Sequence, residues 1–320
     1  MDSTDARLLD LLQQGLPLIA RPFADLAGRL GSDVISRIER LKSDGIIRQI
    51  GAIFDSAALG YKSALVAFRV DGPVVDAVAD IVSAHPGVSH CYSREADYNV
   101  WFTITGAPGG DPGTEVQALA ASAGAGDYLV LPALKVFKIG VFLPMSDWSR
   151  PSEHQPAPSR PEPAELSERD RAAIRALQSD LPLVDRPFVE LASRAGMTES
   201  ELLDLARGYL ERGLMRRFAA VLRHHRAGYA ANAMVCWRVE PGRVDEVGRA
   251  LASDCSVSHC YERPASAKWP YPLYTMVHAR SAEELDASIA RLAAIAASEH
   301  IVLRTVKEYK KSRVPYFTGE

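Results

Sequence analysis

The heptapeptide VSHCYSR, Val88 to Arg94, returns almost unchanged as VSHCYER, Val257 to Arg263. Working outward from this pair, ARPFADLAGRLG (Ala20 to Gly31) has its counterpart in DRPFVELASRAG (Asp185 to Gly196), and DGIIRQIGAIFD has its counterpart in RGLMRRFAAVLR. Gly60-Tyr61 answers Gly228-Tyr229, and Phe68-Arg69-Val70 answers Trp237-Arg238-Val239. The order is the same throughout, which marks a duplicated unit. Between the copies, RPSEHQPAPSRPEPAE (Arg150 to Glu165) is rich in proline and lacks apolar periodicity, so it reads as an extended tether. The chain is two homologous halves, an internal heterodimer.

Within a half the apolar period changes once. Phe23, Leu26, Ala27 and Leu30 fall at i, i+3, i+4 and i+7, and after a Gly-Ser turn Val34, Ile38 and Leu41 continue the helical spacing. Two helices across a short turn, followed by a strand pair, predict a winged helix-turn-helix. Ala64 to Val70 then reads as a strand and Val75 to Val82 as a helix. VSHCYSR and YNVWFTITG read as a hairpin, Thr114 to Ala123 as a helix, and YLVLPALKVFKIGVF as one last strand. The second half repeats this βαββαβ order from Ala231 to Tyr309. The expected class is α+β: two tandem copies of a winged helix-turn-helix plus a ferredoxin-like βαββαβ domain, paired as a pseudo-heterodimer in one chain. The boundaries expected are 1–58 and 59–145, a linker at 146–166, then 167–226 and 227–320.

Charge limits the partners. Lys and Arg number 37 against 40 Asp and Glu, a net charge of −3, so no global field draws the chain to nucleic acid, and any polyanion must meet a local basic patch. The recognition helix of the first copy sets Arg37, Arg40 and Lys42 against Asp33, Glu39 and Asp44, for no net charge. That of the second sets Arg207 and Arg212 against Glu199, Glu201, Asp204 and Glu211 and is net acidic. Helices so charged are expected to serve as scaffold. The opening MDSTDARLLDLLQQG breaks its apolar run with Asp5, Arg7 and Asp10, and no stretch is long enough to span a bilayer, so the cytoplasm is expected. Cys91, Cys236, Cys255 and Cys260 show no C-x-x-C spacing and read as small buried thiols.

The copies differ at one corner. Arg216 and Arg217 open a strand, Arg223 closes it, and His224, His225 and Arg226 fill the turn before Gly228, where the first copy has Asp55-Ser56-Ala57-Ala58. Strand alternation separates Arg217 and Arg223 from Phe218, Ala220 and Leu222. The hairpin beyond adds His259, Tyr261, Arg263, Lys268, Trp269 and Tyr271. Cations interleaved with aromatic faces suit a broad flat ligand with acidic arms, the rings stacking and the guanidinium groups taking carboxylates. Taken singly, a histidine pair on a turn is solvent-exposed and hairpin aromatics are core. The asymmetry between copies is what favours function.

A winged helix followed by βαββαβ resembles the Lrp/AsnC regulators. At RRFAAVLRHHRAGYAANAMVCW, KWPYPLY and the paired VSHCY hairpins the sequence resembles the siroheme decarboxylases, and its fused form resembles the NirDL arrangement. That resemblance implies loss of two acetate carboxyls from siroheme to give 12,18-didecarboxysiroheme, with no cofactor beyond the substrate's own iron. His224 and His225 are the expected proton donors. Arg216, Arg217, Arg223, Arg226, Arg263 and Lys268 are expected to grip carboxylates, and His259, Tyr261, Trp269 and Tyr271 to line the rest of the substrate site.

Two questions stay open at this level. The first half either completes one pocket or holds a second site, and Asp55, which would repel a carboxylate, favours the former. His259 and His90 are either axial iron ligands or hydrogen-bonded core residues, and the core reading is adopted. The alternatives to an enzyme are a DNA-binding regulator and a haem-sensing adaptor. No nucleic acid or membrane partner is expected, and further homo-oligomerisation through the sheets is allowed.

Overall fold

The structure, a computed structural model, describes residues 1–140, 142–146, 163–223 and 226–318. The first half runs α1 (Ser3–Gln14), α2 (Pro22–Leu30), α3 (Val34–Ser43), β1 (Ile47–Phe54), β2 (Lys62–Arg69), α4 (Val75–Ala84), β3 (Val88–Arg94), β4 (Val100–Gly106), α5 (Pro112–Ala123), β5 (Asp127–Pro132) and β6 (Lys135–Ile139). The second runs α6 (Glu168–Leu177), α7 (Pro187–Arg194), α8 (Glu199–Glu211), β7 (Met215–Leu222), β8 (Ala231–Arg238), α9 (Val244–Ser253), β9 (Val257–Glu262), β10 (Leu273–Ala279), α10 (Ala282–Ala296) and β11 (Glu299–Lys311). The tether expected at 146–166 lies for most of its length outside the described residues.

The helical units are specified locally. Asp2 with Asp5, Ser167 with Asp170 and Thr198 with Glu201 form capping boxes that start α1, α6 and α8. Pro22 and Pro187 occupy the first turns of α2 and α7, where a missing N–H costs nothing. Leu8, Leu12, Phe23, Ile38 and Leu41 bury their side chains in the same core as Ile174, Phe188, Leu202 and Phe218. Each such side chain contributes about 1.5–3 kcal/mol by leaving water, so the two helical units are held together by a shared core.

That shared core changes the strand pairing expected from sequence. In place of a strand pair within each half, β1 and β7 pair with one another, antiparallel from Ile47 opposite Leu222 to Phe54 opposite Met215. Alternation fixes which face of a strand is apolar but not which edge it pairs with, and the joined helical layers bring these two edges together.

The other nine strands form one sheet in the order β5-β2-β4-β3-β11-β8-β10-β9-β6. The single last strand expected for the first half is broken at Ala133-Leu134, and β6 crosses over to pair with β9 of the other half. Its counterpart β11 continues unbroken, pairing with β8 through Glu299–Arg304 and with β3 through Thr305–Lys311. The two ends of the sheet are therefore consecutive in the chain, and the sheet curls. Helices α4, α5, α9 and α10 cover its outer face, with cores around Val82, Phe102 and Val116 and around Val247, Leu251 and Leu292. Cys91, Cys236 and Cys260 are buried, but Cys255 is exposed at the α9–β9 turn, contrary to expectation.

Candidate active site

The twin heptapeptides lie on the inner face of the curl. In β3 and β9 the cysteines point outward, Cys91 toward the Ala79 carbonyl and Cys260 toward the Gly248 carbonyl. Alternation then turns His90, Tyr92 and Arg94, and His259, Tyr261 and Arg263, inward. His90 stacks on Tyr92 at 6.3 Å and His259 on Tyr261 at 6.0 Å. Arg94 lies 5.3 Å over the Tyr92 ring, and Arg263 lies 4.8 Å over Tyr261 and 5.6 Å over Tyr274. Arg94 donates to the Leu303 carbonyl and Arg263 to the Leu131 carbonyl, each on the crossing strand. The interior is thus built in paired strata of imidazole, phenol and guanidinium.

Below the arginines an aromatic floor closes the curl. Trp269 donates to the Tyr274 hydroxyl at 2.7 Å and meets Trp101 at 5.5 Å, Tyr98 at 5.6 Å and Tyr271 at 5.0 Å. Trp269 and Tyr271 are buried there with Met234, Cys236 and Leu303. Lys268 turns out to solvent and pairs with Asp127 at 3.2 Å. Of the residues read from sequence as one cluster, Trp269 and Tyr271 form the floor, Lys268 lies outside, and His259, Tyr261 and Arg263 line the wall.

Above the histidines the β1–β7 ribbon forms a roof. Arg216 pairs with the buried Asp55 at 2.7 Å, and the side chain of Arg217 turns toward Gly140. Arg48, in the place corresponding to Arg216, donates to the Lys311 carbonyl at 3.2 Å. Lys311 lies beside His90 on β11, and Arg313 donates to the Ala52 carbonyl at 3.4 Å. Lys138 and Lys310 face the other way, holding the carbonyls of Asp254 and of Ser83 and His85 at the ends of α9 and α4.

These surroundings fix charge states. Burial, then the neighbouring His90, Arg216 and Arg217, pulls His259 down to about 3. Burial, then Lys311 and Arg48, pulls His90 down to about 4. Both imidazoles are neutral near pH 7. Ser258 Oγ lies 2.9 Å from His259 Nδ1 and donates to the Met276 carbonyl at 3.3 Å, so it accepts from Nδ1–H and leaves a lone pair on Nε2. Burial raises Tyr92 and Tyr261, which stay protonated, and lowers Arg94 to about 10.

The twofold resemblance of the walls is incomplete. On β11 Glu308 and Lys311 stand beside Tyr92 and His90, whereas on β6 Val136 and Ile139 stand beside Tyr261 and His259. The corners differ as well. In the first half Tyr316 fills the corner, its hydroxyl 2.6 Å from Ser56 Oγ and its ring 5.0 Å from Tyr61. In the second, Arg223 is exposed, its amide bonded to the Ile46 carbonyl and its guanidinium to the Gly45 carbonyl. Arg226 is exposed beyond it, and Ala227 returns a hydrogen bond to the Arg223 carbonyl at 2.9 Å. His224 and His225 lie outside the described residues.

Sequence reasoning passed over Arg48, Lys311 and Arg313. Arg48 is matched in both copies, so a search for asymmetry discounts it. Lys311 and Arg313 replace Ile139 and Val141 of the first copy, a signal present in the sequence just past the end of the βαββαβ repeat at Tyr309.

The sequence matches a family described as AsnC-like ligand binding domain at residues 58–138 and 226–310. It matches a second, described as siroheme decarboxylase NirDL-like HTH domain, at residues 5–48 and 170–216. It is 41% identical to a siroheme decarboxylase of Hydrogenobacter thermophilus, over 98% of this chain and 95% of that protein. A siroheme decarboxylase beta subunit of Desulfovibrio desulfuricans is 40% identical over 48% of this chain and 98% of its own length, one half against one subunit. The crystal structure of the siroheme decarboxylase NirDL in complex with an iron-uroporphyrin III analogue superposes with a TM-score of 0.74 at 35% identity, covering 99% of this chain and 95% of that one.

Proposed function

The chain belongs to the siroheme decarboxylase family and is an enzyme that decarboxylates siroheme; we propose that the reaction takes place in the chamber between the curled sheet and the β1–β7 ribbon. There two acetate carboxyls are lost, giving 12,18-didecarboxysiroheme and two molecules of carbon dioxide. The observation that carries this reading is the same layering on both walls, His90 on Tyr92 with Arg94 over the same ring and His259 on Tyr261 likewise with Arg263, beneath a cationic roof. A flat substrate with eight carboxylates needs both the rings and the cations.

Bond breaking leaves the electron pair of the departing carboxyl on a side-chain carbon conjugated with the macrocycle, which delocalises it, so no separate cofactor is called for. A proton must then reach that carbon. The neutral imidazoles of His90 and His259 cannot supply it, and in this reading His224 and His225 are the acids. In place of the core reading adopted from sequence, the Nε2 lone pair of His259 would suit the substrate's iron. Arg216, Arg217, Arg223, Arg226 and Arg263 hold the carboxylates that remain, because an ion pair to the departing one would stabilise the ground state more than the transition state. The scissile acetate faces the apolar side of the wall, beside Tyr261, Val136 and Ile139. Trp269 and Tyr271 support that wall from below, and Lys268, turned outward, has no part in it.

The reading favours a single chamber completed by both halves as each other's partners, acting in the cytoplasm without nucleic acid. On the regulator alternative, all three basic side chains of α3 are engaged within the protein. Arg37 bonds Asp2 and Asp5, Arg40 bonds Asp5, and Lys42 bonds Asp180. Incubating the protein with siroheme without oxygen and following its mass tests the proposal. Loss of two carbon dioxide units is expected; unchanged siroheme together with an operator-dependent gel shift would favour the regulator.

A further inference from the structure

Three arginines from distant parts of the sequence converge on the roof ribbon. Arg313 follows β11 and reaches the Ala52 carbonyl of β1. Next along β1, Ile53 is paired with Arg217 of β7. Arg48, at the other end of β1, reaches the carbonyl of Lys311, two residues before Arg313. Nη2 of Arg313 is buried and has no hydrogen-bond partner among the described residues. Burial, with smaller contributions from Arg48 and Arg217, brings Arg313 down to about 10 although Tyr316 and Asp180 pull the other way, so both guanidinium groups lie near that of Arg313.

The carboxylates nearby are already engaged. Asp180 takes Lys42 and the Ile50 amide, Asp55 takes Arg216, and Glu308 faces Lys311. A half-buried guanidinium with an unused donor, set near other cations, calls for an anion from outside the fold.

What holds Arg313 in place is the first-half corner. Tyr316 is locked by Ser56 at its hydroxyl, and by Gln178, which accepts from its amide and donates to its carbonyl, both at 2.9 Å. The Phe317 amide donates to the Tyr61 hydroxyl at 2.8 Å. The corner that corresponds to the Arg-His-His-Arg turn thus anchors the strap carrying Arg313.

We propose that Arg48, Arg217 and Arg313 form an anion subsite for propionate arms of the tetrapyrrole, none of which is lost in the reaction, and that Tyr316 is the positioning residue that presents Arg313 to it. The proposal rests on the chamber being the tetrapyrrole site. A fork of guanidinium nitrogens suits a carboxylate, and surviving arms are the ones such a grip can hold without opposing the chemistry.

The test titrates the full chain, monitored by Soret absorbance, with two iron porphyrins: one with four acetates and four propionates, the other with the propionates alone. Arg313→Ala should weaken both by about tenfold or more and raise KM with little change in kcat. Arg313→Lys, which keeps the charge but loses the fork, should fall in between. Tyr316→Phe should also raise KM, and adding it to Arg313→Ala should cost nothing further, a non-additivity that a merely structural role would not produce. Unchanged affinity in Arg313→Ala, or weakening of only the acetate-bearing porphyrin, overturns the subsite. Tyr261→Ala separates the two levels: if it weakens binding while Arg313→Ala does not, only the subsite falls, and if neither does, the chamber reading falls with it.

Discussion

Asp55 of the first half and Arg216 of the second meet at 2.7 Å, a contact that exists because β1 and β7 pair across the halves. The same carboxylate accepts from the amides of Ala57 and Ala58. Asp55 is almost fully buried, so Asp55→Asn leaves Arg216 short of its counter-charge in a poorly hydrated place. We expect a loss of about 2 kcal/mol, below the cost of breaking a fully buried pair because Arg216 keeps some contact with water. Siroheme should bind more tightly, since a competing carboxylate is gone. Urea midpoints and a titration of the variant check both, and weaker binding would contradict the role given to Arg216.

The twin histidines make an acid-side prediction. In the unfolded chain each takes up a proton near pH 6.5, while in the folded chain they stay neutral down to about 4 for His90 and about 3 for His259. Between these limits the unfolded state binds more protons, so stability rises with pH there and falls as pH drops from 6.5. Replacing both by Gln should flatten the decline in urea midpoint between about pH 6.5 and pH 5. An unchanged slope would show that the imidazoles are not held neutral.

Trp269 and Lys268 are neighbours in sequence with opposite fates. Trp269→Ala should cost about 3–5 kcal/mol as a cavity opens beside Trp101 and Tyr274. Lys268→Ala removes an exposed ion pair and should cost less than about 1 kcal/mol, leaving siroheme affinity as it was. A large loss of affinity in Lys268→Ala would return that residue to the substrate site.

Chemistry and binding should separate at the second-half corner. His224→Ala is expected to lower kcat by about 100-fold or more, as for loss of a general acid, with the substrate still bound. Arg223→Ala should mainly raise KM. Single-turnover assays with siroheme distinguish the two, and normal turnover in His224→Ala would remove that residue from the proton path.

The repeat, the helix spacing, the capping residues and the place where the copies diverge at Arg-His-His-Arg are all legible in the sequence, because each is set by residues close together along the chain. VSHCYSR and VSHCYER even show which side chains share a strand face, since alternation has a period of two. Which edges pair was decided by tertiary structure. A strand's unpaired N–H and C=O groups accept either neighbour equally well, so only the shared helical core could join β1 to β7, and only the break at Ala133-Leu134 could send β6 to the other half. The chamber depends on those two choices. Arg48, Arg217 and Arg313 are unrelated positions in the chain, and only long-range strand pairing, which no local pattern encodes, brings all three to the same ribbon.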